Sequence, residues 1–330
     1  VRILVTGSSG HLGEALVRVL SAEGDDVVGL DLLSSARLGV TGSIVDRALV
    51  RRSVAGVDAV IHTATLHKPH VITHDRAAFV ATNVSGTLNL LEAAADAGVG
   101  AFVFVSTTST FGRALTPPAD ASAAWITEDV PPVPKNIYGA TKTAAEDLCE
   151  LVHRDRQLPC VILRTSRFFP ETDDRDDMRA DFDDLNLKVN ELLYRRVDLD
   201  DVVSACRLAV ARAGALGFGR YIVSATTPFT PDHLVALRGE APSVVRRLFP
   251  EYEQIFALRG WKMLASIDRV YVNARARHDL GWRPRYDFAH ALDCLRAGQD
   301  PRSPLALGIG AKGYHAEPTG VYTPGSTSSG

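Results

Sequence analysis

The stretch Thr6-Gly7-Ser-Ser-Gly10-His-Leu-Gly13 joins two segments of different periodicity, and no other junction constrains the fold as strongly. Before it, Arg2-Ile-Leu-Val5 is a short apolar run that reads as a buried strand. After it, Leu12, Leu16, Val19 and Leu20 recur at helical spacing. A strand that turns into a helix through three glycines lets its backbone approach a pyrophosphate closely. The helix N-terminus then offers N–H groups and a partial positive charge. With 26 glycines in 330 residues the bare spacing arises by chance in roughly one shuffled chain in six, so the flanking strand and helix carry the inference. The competing reading is a plain tight turn.

The alternation continues downstream. Val27–Leu30 reads as a second strand ending at Asp31, and Val57–Ile61, Ala101–Val105 and Cys160–Leu163 read as further strands. One long helix is predicted from about Asp75 to Ala97, closed by Gly98, and another over Tyr138–His153. Such alternation implies an α/β fold: a Rossmann-type, doubly wound parallel sheet with helices on both faces and ligands at the carboxyl ends of its strands. From Arg164 the pattern weakens. Residues 171–184 are polar and acidic with little periodicity; Arg196–Asp201 opens a helix through Ala211, and Arg220–Ser224 returns as a strand. The expected organisation is a nucleotide-binding domain over 1–165 plus about 196–224, and a smaller C-terminal substrate-binding domain over about 166–195 and 225–300. The extension 301–330 ends in a Gly-, Ser-, Thr- and Pro-rich run expected to be disordered.

A net charge of −3 gives no electrostatic reason to expect nucleic acid or a membrane surface as a partner. Arginine dominates the basic residues, with only six lysines among 36. The four cysteines are far apart and read as reduced core residues, not as a disulfide or zinc framework. With no membrane-length apolar stretch and no signal peptide before the first strand, a cytoplasmic protein is expected.

Asp31 lies 18 residues after Gly13 at the end of the second strand. An acid there accepts hydrogen bonds from adenosine ribose hydroxyls and repels a 2′-phosphate, which favours NAD over NADP. Arg37 nearby argues the other way, and a solvated loop aspartate is the plain alternative. Tyr138-Gly-Ala-Thr-Lys142 places a phenol and an ammonium on one helix face. A free tyrosine, with a pKa near 10, is a poor base at neutral pH, and a fixed lysine lowers that pKa. A surface Tyr–Lys pair is the alternative. The loop Ser106-Thr-Thr-Ser109 follows the fourth strand and offers hydroxyls that could steer a substrate oxygen toward Tyr138; spacing alone leaves open which of the four works.

These pieces occur in the order found in the extended short-chain dehydrogenase/reductase family, in its branch of sugar-nucleotide epimerases and dehydratases, which the chain resembles over roughly residues 1–297. The resemblance rests on Thr6-Gly7-x-x-Gly10-x-x-Gly13, Asp31, Gly42-Ser-Ile-Val-Asp46, His62-Thr-Ala-Thr65, Asn83-Val-Ser-Gly86, Ser106-Thr107…Phe111-Gly112, Tyr138…Lys142 and Leu280-Gly-Trp-Arg-Pro284. It implies NAD as cofactor, contacted by Gly7, Gly10, His11, Leu12, Gly13, Asp31, Ser43, Ile44, His62, Ala64, Asn83 and Lys142. It also implies Tyr138 as acid/base, Lys142 as its partner and Thr107 as the working hydroxyl. A homodimer through the helices starting near Asp75 and Tyr138 is implied as well.

Three departures bear on the substrate. Dehydratases of this family carry Thr-Asp-Glu where this chain has Thr107-Thr108-Ser109, so 4,6-dehydration is not expected. Arg167 stands where epimerases usually have asparagine; it either binds a phosphate or carboxylate or pairs with the acidic stretch downstream. That stretch is either a solvated loop or a cap for a polyol or amine-bearing substrate. His67, His70 and His74 read as a metal site, a pocket lining or plain loop histidines; no metal is expected, because Pro69 breaks a helical arrangement. His67, Thr108, Arg167 and Arg196 are the expected substrate contacts. The function expected is an NAD-dependent epimerase or oxidoreductase acting on a hydroxyl-bearing carbon of a sugar or sugar nucleotide by tyrosine-assisted hydride transfer. The alternatives are a dehydrogenase or reductase with net NADH turnover and a non-catalytic NAD-binding sensor.

Overall fold

The computed structural model describes residues 1–33, 39–168, 176–310 and 312. Arg37, the acids Glu171, Asp173 and Asp174, and the C-terminal run from 313 lie outside the described residues.

The strands in chain order are β1 (Arg2–Thr6), β2 (Asp26–Asp31), β3 (Val40–Thr41), β4 (Ala59–His62), β5 (Ala101–Thr107), β6 (Ala124–Ile126), β7 (Cys160–Thr165), β8 (Arg167–Phe168), β9 (Arg196–Val197), β10 (Phe218–Val223) and β11 (Arg269–Tyr271). Seven of them form one sheet in the order β10-β7-β5-β4-β1-β2-β3, and every pairing in it is parallel. This is the doubly wound order, whose direction of winding reverses between β1 and β4. A crevice opens beyond the carboxyl ends of those two strands. Two short parallel pairs, β6 with β11 and β8 with β9, lie outside the main sheet.

Strand side chains alternate between faces, and both faces are buried. Leu4, Val60, Phe102, Phe104 and Ile162 face one way, in a cluster with Val50, Leu90, Leu91, Ala145 and Cys149. Ile3, Val5, Ile61, Val103 and Val161 face the other, against Leu12, Leu16, Leu20, Val202 and Ala209. The helices up to residue 216 are α1 (His11–Ala22), α2 (Arg47–Val54), α3 (Arg76–Phe79), α4 (Gly86–Asp96), α5 (Ile137–Arg156), α6 (Asp176–Asp181), α7 (Asp184–Glu191) and α8 (Leu199–Leu216), of which α2, α4 and α5 cover the first face and α1 and α8 the second.

The single helix expected from Asp75 to Ala97 is continuous but not uniform. A π-helical segment, Val80–Ser85, links α3 to α4. Within the stretch expected to lack periodicity, Asp183 caps α7 by accepting from Leu185 N and Asn186 N, and Asp184 pairs with Lys188 at 2.6 Å. Those acids shape a helix, which a hydrophobic-periodicity reading does not register.

Near the C-terminal end, Gly281 takes φ +69°, and Trp282 next to it is fully buried. Its indole N–H donates to the Asp201 carbonyl at 3.1 Å and to Ser204 Oγ at 3.0 Å. Arg285 N and Tyr286 N donate to the Asp201 carboxylate, so this segment is pinned to the start of α8. Replacing Trp282 by Ala is expected to cost about 3–5 kcal/mol of unfolding free energy, measured by denaturant titration.

Candidate active site

Gly7, directly after β1, takes φ +70° and donates its N–H to the Leu30 carbonyl at 2.8 Å, tying the bend to β2. A Cβ on Gly7 would lie 2.7 Å from Thr63 Oγ1, and one on Gly13 would lie 1.9 Å from the Gly7 oxygen. Close packing therefore demands glycine at both positions. No side chain caps α1, and its first turn faces a cavity of about 330 Å³ lined also by Asp31, Ser43, Ile44, Ala64 and Tyr138. Asp31 accepts from Ser9 N and Leu33 N, each at 2.9 Å on a different oxygen, which leaves each oxygen a further lone pair. A glycine-floored cavity with a helix N-terminus at one side and a carboxylate at its rim fits a dinucleotide.

Of the expected cofactor contacts, His62, Asn83 and Lys142 are not among the residues that line this cavity; all three are buried. Thr87 spends its one hydroxyl proton on the Asn83 carbonyl, so His62 Nε2 donates to Thr87 Oγ1 at 2.9 Å and Nδ1 accepts from Thr6 Oγ1 at 2.7 Å. Burial first, then the charge of Lys142, hold this imidazole well below its ordinary pKa. Asn83, inside the π segment, accepts from Leu66 N at 2.8 Å and donates to the Leu66 carbonyl at 3.0 Å and Thr141 Oγ1 at 3.1 Å. Asn83 thus holds the cavity-lining loop Thr63–Leu66 directly, and His62 holds it through Thr6, whose Oγ1 accepts from Ala64 N at 3.2 Å. The resemblance to a family motif marked the positions; only packing shows that the side chains work from below.

Asn136 caps α5 by accepting from Gly139 N at 3.0 Å, which puts Tyr138 in the first helical turn. A Cβ on Gly139 would lie 2.9 Å from the Ser109 carbonyl, so this glycine lets α5 abut the loop after β5. Tyr138 and Thr107 thereby line one cavity together, with Thr108 beside them. The Ser106 hydroxyl is engaged elsewhere, donating to Glu146 at 2.5 Å. Lys142 is buried under Tyr138's side of the helix and donates to the Val105 carbonyl at 2.7 Å. Burial, against the attraction of Glu146, pushes its ammonium down to about 7. His67 stacks at a tilt on Tyr138, with centroids 5.0 Å apart.

The second cavity, about 260 Å³, is basic. Lys68, Lys135, Arg167, Arg195 and Arg269 line it, and among the described lining residues there is no Asp or Glu. The β8–β9 pairing sets Arg167 opposite Arg196 and so brings Arg195 alongside. Arg196 itself, an expected substrate contact, is fully buried in an ion pair with Glu191 at 2.6 Å, and Arg195 takes its place in the lining. Burial pushes the Glu191 carboxyl up, but Arg195, Arg196 and Arg167 together hold it well below the usual carboxylate range. Among the described residues Glu191 is the carboxylate shared by these three guanidinium groups. Lys68, Lys135, Arg195 and Arg269 escaped the sequence reading because they come from four separate segments with no motif of their own. Among the described residues no group of three or more His, Cys, Asp or Glu side chains could hold a metal ion.

A sequence model of the NAD dependent epimerase/dehydratase family matches residues 3–216. The chain is 36% identical over 184 residues to the low-salt glycan biosynthesis protein Agl12 of Haloferax volcanii, covering 51% of this chain and 56% of that protein. It is 30% identical over 321 residues to a dTDP-glucose 4,6-dehydratase of Streptomyces griseus, covering 88% and 91%. To a UDP-glucose 4-epimerase of Corynebacterium glutamicum it is 34% identical over 164 residues, covering 44% and 45%. The chain thus spans about half the length of the first and last of these relatives. Among solved structures, a short-chain dehydrogenase/reductase superfamily protein from Agrobacterium tumefaciens with bound NAD is 26% identical, with a TM-score of 0.63, covering 90% of this chain and 98% of that one.

The lowered pKa of Lys142 carries a pH dependence. Between about 7 and 10.5 the unfolded chain binds a proton there that the folded chain does not, so this group makes unfolding free energy rise with pH and its contribution is lost as pH falls through about 7. Denaturant unfolding across that window is expected to show a shallower rise for Lys142→Met than for wild type; identical slopes would refute it.

Proposed function

The chain belongs to the NAD-dependent epimerase/dehydratase family, and on that premise we propose that it oxidises and re-reduces a carbinol carbon of an anionic sugar nucleotide, as an epimerase. The observation that carries this reading is that Tyr138 lines both the dinucleotide cavity and the basic cavity. A group at that shared wall can take a proton from a hydroxyl in one cavity while the adjoining carbon faces the other.

NAD, when bound, supplies a hydride acceptor. Tyr138 acts as the base toward the substrate hydroxyl, and Thr107 holds the same oxygen. Lys142, buried behind Tyr138, stabilises the phenolate through its positive field. The arginines and lysines of the second cavity hold the diphosphate of the substrate. Asp31 takes the adenosine ribose and sets NAD above NADP. The described lining has no carboxylate for an elimination, and Thr108 and Ser109 stand where such acids would be, which supports epimerisation over dehydration. The basic lining supports an anionic substrate over the alternative in which the acidic stretch caps a polyol or amine-bearing one. A homodimer through α3, α4 and α5 accompanies the reading. Among the described residues no helix is long and apolar enough to cross a membrane.

Tyr138→Phe is expected to lower kcat at least about a hundredfold with the NAD Kd within about threefold of wild type, by steady-state kinetics and calorimetry. With UDP- and dTDP-hexoses, an epimer without net NADH absorbance is expected. Steady NADH accumulation would mark a dehydrogenase instead, and a 4-keto-6-deoxy product would restore dehydration. Replacing Lys68 and Lys135 together by Ala is expected to raise KM about tenfold with kcat nearly unchanged, an effect that shrinks with added salt.

A further inference from the structure

A stretch far from the glycine bend in sequence ends against it. Ser303, fully buried, donates its N–H to Asp198 at 3.0 Å and caps the helix Pro304–Ile309 by accepting from Ala306 N at 3.0 Å. Ala306 and Ile309 are buried in the same core as α1 and α8, and Arg18 of α1 donates to the Gly308 carbonyl at 3.3 Å. Gly310, at φ +66°, then turns the chain back over the start of α1. Lys312 arrives there. Its N–H donates to His11 Nε2, and its ammonium donates to the Ser9 carbonyl at 2.7 Å and pairs with Glu14. Lys312 lines the dinucleotide cavity together with Ser9, Gly10, His11 and Leu12.

Glu14 is the acidic residue in the first turn of α1, where it stabilises the helix but repels a phosphate at the same end. A lysine set between that carboxylate and the bend offsets the conflict and adds a cation beside the N–H groups. Its side chain is about a quarter exposed, so the ammonium can turn toward a ligand.

We propose that Lys312, which follows the anchored segment 303–310, is a further residue of the cofactor site and binds the pyrophosphate of the dinucleotide. The proposal rests on the assignment of the glycine-floored cavity to NAD. No motif of the nucleotide-binding half contains this residue.

The test is calorimetric titration of the full chain with NAD, ADP-ribose and adenosine, the last lacking the pyrophosphate. Lys312→Ala is expected to weaken NAD and ADP-ribose about tenfold and leave adenosine within twofold, and Lys312→Arg to recover most of the loss. NAD and ADP-ribose affinities within twofold of wild type in Lys312→Ala would reduce the lysine to a counter-ion for Glu14. An equal loss for adenosine that Lys312→Arg does not recover would mean a damaged bend, and would also overturn the proposal. Wild-type protein that binds adenosine and ADP-ribose no better than buffer would instead bring down the cavity assignment, and this proposal with it.

Discussion

A buried ion pair holds together the side of this molecule that carries Tyr138 and Lys142. Glu146 is 1% exposed, and its two oxygens accept three hydrogen bonds from Arg164, at 2.7–3.1 Å, and one from Ser106. Arg164 comes from β7, Ser106 from β5 and Glu146 from α5, so one carboxylate joins two central strands to the helix that carries Lys142 and Tyr138 one and two turns earlier. Desolvating these charges is costly, and full hydrogen bonding offsets that cost; leaving either partner alone would cost about 3–5 kcal/mol. The pair fixes the rotation of α5, and with it the side of the helix on which the phenol emerges.

Glycine does the complementary work of close approach. Gly13 against the Gly7 carbonyl, Gly139 against Ser109 and Gly112 against Val133 are contacts that a methyl group would prevent. The first pair shapes the cofactor bend; the other two bring the loop after β5 against the start of α5. Sheet, bend and loop thus meet at the reversal of strand order, where a doubly wound sheet leaves a crevice of its own accord.

The parallel sheet was legible in the sequence because its strands are nearly continuous apolar runs and its helices have apolar stripes. Thr107, Tyr138, Asp31 and the glycines were legible because each lies next to the turn or strand end that orients it. His62, Asn83 and Arg196 were legible as positions, but their burial off the cavity linings was not, since burial depends on what packs above a residue and spacing does not report that. Apart from Arg167, the basic lining was invisible for another reason. Its cations come from the loop after β4, the segment before α5, the two short strand pairs and their neighbours, and they converge only after folding.

The scarcity of lysine has an experimental meaning that follows from where the six sit. Lys142 and Lys188 are buried, Lys68 and Lys135 line the basic cavity, and Lys312 lines the dinucleotide cavity. Only Lys262 is exposed away from both. An amine-acylating reagent therefore reports almost entirely on the two cavities, with Lys262 as its internal standard. In this arginine-rich chain, protection of individual lysines becomes a ligand footprint that tells which cavity a bound molecule fills, before its identity is known.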